Sequence, residues 1–173
     1  MHTICILMLD DLRIPSESSN SMNTIVNQFM VLAMQEARIA MRRGEVPVGA
    51  VIANAANGVI IGSASNAVRR MKDPTAHAEM LAIRAASKSF GYERLINCDI
   101  YVTLEPCPMC AHAITLARFR RLYFAAYDPN GGAVEHGPRL FQQTSCNHRP
   151  DVYGGYAERE AAELLRSFFR ARR

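Results

Sequence analysis

Three residues in the middle of the chain, one histidine and two cysteines, have side chains of types that can bind a metal ion. Cys107 and Cys110 form a CxxC pair, which by itself is as typical of a redox-active dithiol as of a metal site. His77, in the sequence His-Ala-Glu, supplies a third ligand from a separate segment. Three protein ligands leave one coordination position open, as catalytic zinc requires, whereas a structural site takes a fourth ligand. The spacing therefore predicts one catalytic Zn²⁺ per chain, held by His77, Cys107 and Cys110.

Glu79 lies two positions after His77, where a carboxylate can stand beside a bound metal ion without being a ligand. Zinc lowers the pKa of its bound water to about 7, which makes hydroxide available at neutral pH. A carboxylate at that place can take the proton of the water and pass it to a ring nitrogen and to a leaving amine. HxE followed by PCxxC is the signature of zinc-dependent nucleobase deaminases. The pattern predicts hydrolytic deamination with Glu79 as the catalytic residue.

The segments around these residues alternate between strand and helix patterns, which predicts an α/β fold. Apolar residues recur at helical spacing from residue 23 and stop at Gly44, a residue type common just past a helix end. Two β-branched runs, 48–52 and 59–63, flank a short loop and predict an antiparallel hairpin. The later segments are predicted as a strand at 99–104, a strand at 121–126, a turn at 128–132, no regular structure between 132 and 155, and a helix at 158–170.

Two further helices are predicted to begin at the metal ligands. Residues 76–88 are rich in alanine and predict a helix that is capped by Asp73 or Thr75 and carries the histidine and the glutamate in its first turn. An apolar helix at 109–117 starts at the cysteine pair. Free N–H groups and the positive end of the helix dipole lower the pKa of a nearby thiol, so this placement suits metal-binding thiolates.

The composition is that of an ordinary globular protein with a single domain. The chain has 173 residues, of which 49% are hydrophobic and 21% charged, and a chain of this length forms one compact domain. Its net charge of +4 is compatible with a polyanionic partner. Five cysteines, an odd number without an export signal, favour a reducing cytoplasm over a disulfide framework.

The start of the chain is predicted to lie outside the folded domain. Residues 1–22 end in a polar, Ser-rich run and predict a flexible tail, so that either Met1 or Met22 is the physiological start. The folded domain is expected at 23–173. No targeting segment and no membrane span are predicted.

Five segments, two of which include metal ligands, carry a resemblance to a known family; they are 45–51, 73–79, 101–107, 147–149 and 167–170. With them, the chain from about residue 23 to residue 173 resembles the bacterial tRNA-specific adenosine deaminases of the TadA type. The resemblance implies a cytidine deaminase-like, three-layer α/β/α sandwich with a five-stranded mixed sheet. It also implies a homodimer that converts adenosine to inosine at the wobble position of a tRNA anticodon, tRNA-Arg(ACG) being the expected substrate, with no DNA or membrane partner.

The same resemblance implies a set of substrate-binding residues. By position, Asn66 matches a residue that binds the target nucleoside, and Asp128 matches a contact to the anticodon loop. Phe168, Phe169 and Arg170 fall where the last helix of the family meets the anticodon loop. The alternative for these three is a helix that packs on the core.

Three other functions share parts of this pattern. A deaminase of a free base or nucleoside, such as guanine, cytosine or cytidine, has the same HxE and PCxxC motifs. A non-catalytic zinc- and RNA-binding module holds the metal without turnover, although the intact Glu79 argues against it. A CxxC oxidoreductase uses the dithiol without zinc. His112 and Tyr127 depart from the family pattern, at positions outside the predicted zinc site.

Overall fold

A computed structural model describes residues 19–172 of the chain, and the side chains of Thr24 and of residues 26–172. Its five α-helices are α1 (Ser19–Arg42), α2 (Val68–Met71), α3 (Ala78–Phe90), α4 (Pro108–Leu116) and α5 (Glu158–Arg170). Its five strands are β1 (Gly49–Asn54), β2 (Ile60–Ser65), β3 (Cys98–Leu104), β4 (Arg121–Ala126) and β5 (Asp151–Tyr153). A 3₁₀ turn at Leu140–Gln142 precedes β5.

The strands form one mixed sheet in the order β2-β1-β3-β4-β5. Strand β1 pairs antiparallel with β2 and with β3, whereas β3, β4 and β5 run parallel. Because β3 and β4 are parallel, the segments that follow Leu104 and Ala126 leave the same edge of the sheet. In open α/β sheets, ligands bind beyond the carboxyl ends of such strands.

Side chains that alternate along each strand cover the two faces of the sheet. One face carries Val51, Tyr101 and Tyr123, which pack against α1 and α5. The opposite face carries Ile52 and Ile100, with Leu122 beside them, and it packs against α3 and α4. The arrangement is therefore the predicted three-layer α/β/α sandwich with a five-stranded mixed sheet.

Helix α1 packs closely on the sheet, and a glycine makes the approach possible. A Cβ built on Gly49 lies 2.1 Å from the carbonyl oxygen of Ala33 and 2.6 Å from the backbone nitrogen of Ala37. No other residue type fits there without moving the helix. The backbone N–H of Gly49 also donates to the hydroxyl of Thr103, 3.1 Å away, which ties β1 to β3.

The structure corrects several boundaries. Helix α1 begins at Ser19, earlier than the predicted start at residue 23, so residues 19–22 belong to the helix. The rest of the segment predicted as a tail, residues 1–18, lies outside the described part of the chain. The prediction that Asp73 or Thr75 caps α3 is wrong, because His77 is the N-cap residue. Asp73 instead accepts hydrogen bonds from the backbone N–H and hydroxyl of Thr75, each at 2.7 Å. No helix between the described ends of the chain is both long and apolar enough to cross a membrane.

Candidate metal centre and active-site cleft

Two helix starts meet at the carboxyl end of β3 and bring the predicted metal ligands together. His77 is the N-cap residue of α3 and Cys107 is the N-cap residue of α4; both have extended backbones, and neither side chain caps its own helix. Their side chains are therefore free to bind a metal ion, while the N–H groups of the first turns keep the positive end of each dipole nearby. Cys110 lies in the first turn of α4, so the CxxC spacing returns the second thiol to the same point.

The ligand atoms have the separations that a tetrahedral zinc ion needs. The Nδ1 atom of His77 lies 3.6 Å from the Sγ of Cys107 and 3.5 Å from the Sγ of Cys110. All three atoms lie within 4.8 Å of one another. A tetrahedral Zn²⁺ with ordinary Zn–N and Zn–S bonds holds nitrogen and sulfur about 3.5 Å apart. The imidazole and the two thiols thus fit one Zn²⁺ ion per chain with the fourth position open.

Electrostatic interactions within the cluster prepare one thiolate. A hydrogen bond from the Cys110 thiol, helped by the His77 imidazole, lowers the pKa of Cys107 to about 4 although burial opposes it. The same hydrogen bond, together with burial, raises the pKa of Cys110. The pKa of His77 is raised, chiefly by its hydrogen bond to Cys107. Metal ligation needs the deprotonated forms of cysteine and histidine. A cation that binds here therefore displaces the proton of the Cys110 thiol and a proton of the His77 imidazole.

Glu79 is buried in the first turn of α3 and lies beside the metal ligands. Its side chain is 4% exposed, and burial raises the pKa of its carboxyl group. A carboxyl group whose pKa is moved towards neutrality can both accept and release protons, as general acid–base catalysis requires.

A cleft of about 530 Å³ opens over this cluster, a volume in the usual range for small-molecule sites. Seven of the predicted site residues line it: Asn66, His77, Glu79, Cys107, Asp128, Phe168 and Phe169. Cys110 lies behind this surface and is fully buried. Arg170 does not line the cleft; its guanidinium binds the exposed carboxylate of Glu163 at 2.7 Å. His112 is exposed on α4 and is not part of the ligand group.

The cleft also contains residues that the sequence did not single out. Arg69 and Arg172 lie at its mouth, and Glu45 and Glu105 lie in its wall. Glu45 is buried and accepts the backbone N–H groups of Arg69 and Arg70 at 3.1 and 2.7 Å, which fixes the short helix α2. The sequence signal for Glu45 is a carboxylate next to an apolar stretch. Such a carboxylate needs hydrogen-bond donors when it is buried.

The fold and this centre define a zinc-dependent deaminase of the cytidine deaminase class. Residues 23–126 match the family model for the cytidine and deoxycytidylate deaminase zinc-binding region. The histidine, the glutamate and the cysteine pair all lie within that stretch, as the signature requires.

Comparison with similar proteins shows to which family of deaminases the chain belongs. A tRNA-specific adenosine deaminase of Agrobacterium fabrum is 56% identical over 145 residues, which cover 84% of this chain and 94% of the relative. A solved structure from a study of A-to-I editing by tRNA:A34 deaminases is 55% identical with a TM-score of 0.77, covering 80% of this chain and 99% of the other. A guanine deaminase of Bacillus subtilis is 34% identical with a TM-score of 0.54, covering 68% and 84%. The chain belongs to the tRNA-specific adenosine deaminases, which confirms the resemblance.

Proposed function

We propose that this enzyme converts adenosine to inosine at the wobble position, A34, of a tRNA anticodon, as its relatives are named for doing. The substrate that we expect is tRNA-Arg(ACG). One observation supports the proposal above all: a single cleft combines the two surface-facing metal ligands, the buried Glu79 and the predicted substrate residues Asn66 and Asp128. One nucleobase in the cleft can therefore reach the metal ligands, the proton-carrying Glu79 and the predicted substrate contacts.

The residues of the chain account for the hydrolytic reaction. His77, Cys107 and Cys110 would hold the Zn²⁺ ion, which would make a nucleophilic hydroxide available at neutral pH. In the proposed reaction the carboxylate of Glu79 takes a proton from the attacking water and gives it to N1 of adenine as the oxygen adds to C6. Glu79 then carries the remaining proton of the hydroxyl group added at C6 to the exocyclic nitrogen; the C6–N bond breaks, ammonia leaves, and the C6 carbonyl of inosine forms. Asn66, which is buried in the cleft wall, binds the nucleoside so that N1 and the exocyclic nitrogen of the base lie within reach of Glu79.

The mouth of the cleft suits a single-stranded RNA loop. Phe169 lines it with a ring that is 51% exposed and available for stacking on a base. The guanidinium groups of Arg69 and Arg172 lie on the same rim and suit phosphate groups. An unpaired loop base is cheap to extrude, and a deaminase needs an extruded base. Arg170, predicted to contact the loop, needs to leave Glu163 to do so.

We further propose that the enzyme is a cytoplasmic homodimer whose catalytic unit is the domain at 23–173. Exposed apolar side chains such as Leu116 in α4, which is 64% exposed, offer surface for a second copy. Sedimentation equilibrium of the full chain tests the dimer, because a single species of one chain contradicts it. A chain that starts at Met22 tests the catalytic unit, since it retains full activity if the preceding residues are dispensable.

The substrate assignment is tested by direct competition. The enzyme is offered an anticodon stem-loop with adenosine at the wobble position, the same stem-loop with adenosine one position away, and free guanine, cytosine and cytidine. We expect inosine only in the first substrate. Turnover confined to a free base or nucleoside favours the alternative function, a deaminase of small substrates, to which the similarity to a guanine deaminase points. No turnover of any of these substrates favours a non-catalytic module that binds zinc and RNA.

A further inference from the structure

Glu105 is a buried carboxylate that directly follows β3, two residues before the metal ligand Cys107, and both of its oxygens accept hydrogen bonds. Its Oε1 atom accepts backbone N–H groups from Val134 at 3.1 Å, Glu135 at 2.9 Å and His136 at 2.9 Å. Its Oε2 atom accepts the backbone N–H of Asp128 at 3.0 Å and the Nδ1–H of His136 at 2.7 Å. These donors exhaust the lone-pair directions of a carboxylate, so Glu105 has no capacity left to carry protons during the reaction.

The donors come from one segment, 128–136, which we call the carboxylate loop. A Cβ built on Gly132 lies 2.5 Å from the Cδ of Glu105 and 2.5 Å from the carbonyl oxygen of Asp128, so the loop closes on the carboxylate only with glycine there. The N–H of Ala133 donates to the carbonyl oxygen of Pro106 at 2.9 Å. The loop is thus attached at two adjacent points to the segment that carries the metal ligand.

The carboxylate loop presents Asp128 to the cleft. The Oδ1 atom of Asp128 accepts the backbone N–H groups of Asn130 and Gly131 at 3.1 and 3.0 Å, which fixes its carboxylate relative to the loop. Asp128, Gly131 and Glu105 all line the cleft beside Cys107. The position of Asp128 in the lining of the cleft is therefore set through the hydrogen bonds of Glu105.

His136 completes the arrangement on the outer side of the loop. Its imidazole donates to Glu105 and meets the ring of Tyr127 edge to face, with 5.9 Å between the ring centroids. Tyr127 in turn packs edge to face on Phe124 of β4, at 5.1 Å. The unexpected tyrosine before Asp128 thus supports the histidine that binds the carboxylate.

We propose that Glu105 and His136 are positioning residues for the RNA substrate: together they hold the carboxylate loop, and Asp128 with it, at a fixed place in the cleft that His77 and Cys107 also line. The nature of the substrate rests on the proposed function, whereas the order of the loop does not. Glu105 acts on binding through the loop, and Glu79 alone transfers protons.

Hydrogen exchange of the zinc-loaded full chain tests the order of the loop without any substrate. Glu105→Gln places an NH₂ group where one carboxylate oxygen was, so some loop N–H groups face a donor. We expect the amides of residues 128 and 134–136 to exchange about tenfold faster, because a buried hydrogen bond has been lost, with zinc content unchanged. Glu135→Gln removes the same charge from an exposed side chain of the same loop and leaves exchange unchanged. Equal exchange in the wild type and a folded Glu105→Gln variant overturns the proposal.

Two variants of His136 provide a second test, which decides the question if Glu105→Gln fails to fold. His136→Ala removes the donor, and His136→Asn restores an N–H near the position of Nδ1. With the wobble-adenosine stem-loop, we expect His136→Ala to raise KM about tenfold with kcat within about threefold, and His136→Asn to recover most of the loss. Loss of kcat with unchanged KM, or no rescue by asparagine, contradicts a positioning role.

A double-variant cycle tests whether the effect passes through Asp128. Asp128→Asn keeps the oxygen that accepts the loop N–H groups but removes the charge offered to the substrate. If His136 acts through Asp128, the combined variant is no worse than Asp128→Asn alone, because the two changes affect one contact; additive losses contradict this route. If the wild type does not deaminate the stem-loop, the proposed function fails, and the hydrogen-exchange comparison alone decides whether Glu105 and His136 order the loop.

Discussion

Phe168 and Phe169 are consecutive residues of α5 with opposite environments. Their rings meet edge to face with centroids 5.3 Å apart, yet one side chain is 3% exposed and the other 51%. The guanidinium of Arg172 lies over the buried ring, 3.6 Å from its centroid. We therefore propose that Phe168 serves core packing and that Phe169 is the residue of this pair that contacts the substrate.

Alanine substitutions should separate these two roles. Phe168→Ala is expected to lower the free energy of unfolding by about 3 kcal/mol or more, the usual cost of emptying a phenylalanine site in a core. Phe169→Ala should change it by less than about 0.5 kcal/mol but raise KM for the anticodon stem-loop by about tenfold, since one stacked base contributes about 1–3 kcal/mol. Denaturant titration and stem-loop kinetics measure the two effects. Equal destabilisation by both variants contradicts the assignment.

Removal of a metal ligand should release zinc and destabilise the fold. Cys110→Ser and His77→Ala each take one ligand from a three-ligand site, so zinc content should fall from near one per chain to well below it. The melting temperature should drop by about 5 °C or more, because bound metal contributes to folding stability. Cys146→Ser is the matched control, since that thiol donates to the carbonyl oxygen of His148 at 3.0 Å and is not in the ligand group. Metal analysis and thermal melts measure both effects; full zinc occupancy in Cys110→Ser contradicts the site.

Substitution of Glu79 should abolish turnover and leave the metal in place. Glu79→Gln keeps the size of the side chain but cannot carry protons, so kcat/KM for the wobble adenosine is expected to fall about 100- to 10,000-fold, the range for loss of a general acid–base. Zinc content should remain near one per chain, because Glu79 is not a ligand. Glu93→Gln, a change of an exposed carboxylate that precedes β3 and does not line the cleft, serves as the control. A variant that retains wild-type activity refutes the proton-transfer role.

The metal centre was predictable because its chemistry is local in sequence. CxxC and HxE each bring their side chains together within one helical turn, and the helix starts at His77 and Cys107 are visible from Pro and Ala content. Helix α5 was predicted with its observed bounds, since its apolar stripe is regular. Patterns of this kind can be recognised in the sequence without information about contacts between distant segments.

The parts that were missed depend on contacts between distant segments. Strand β5 has three residues, two of them exposed, so it is too short to show a period, and it forms because it pairs with β4. Helix α2 has four residues and is fixed by the remote carboxylate of Glu45. Glu105 accepts hydrogen bonds from residues 128 and 134–136, which lie far from it along the chain, so no local pattern indicates these contacts. Asp73 formed a local turn with Thr75, a competing use of a short polar side chain that sequence cannot separate from capping.

Salt dependence should identify the phosphate contacts at the mouth of the cleft. Arg69 and Arg172 line it, and each phosphate contact adds about 0.7 to 0.9 to the slope of log(kcat/KM) against log salt concentration, because bound counterions are released. Arg69→Gln and Arg172→Gln are each expected to reduce that slope by about this amount, with kcat nearly unchanged. Glutamine is chosen because it removes the positive charge and keeps a polar side chain that can donate hydrogen bonds.

The control is Arg94→Gln, which removes an exposed guanidinium that pairs with Glu93 at 3.8 Å. Residue 94 precedes β3, at the amino end of the parallel strands, whereas the cleft lies beyond their carboxyl ends. Its slope should therefore equal that of the wild type. If the control lowers the slope as much as Arg69→Gln does, the attraction comes from the net positive charge of the whole molecule, and the rim arginines make no specific phosphate contact.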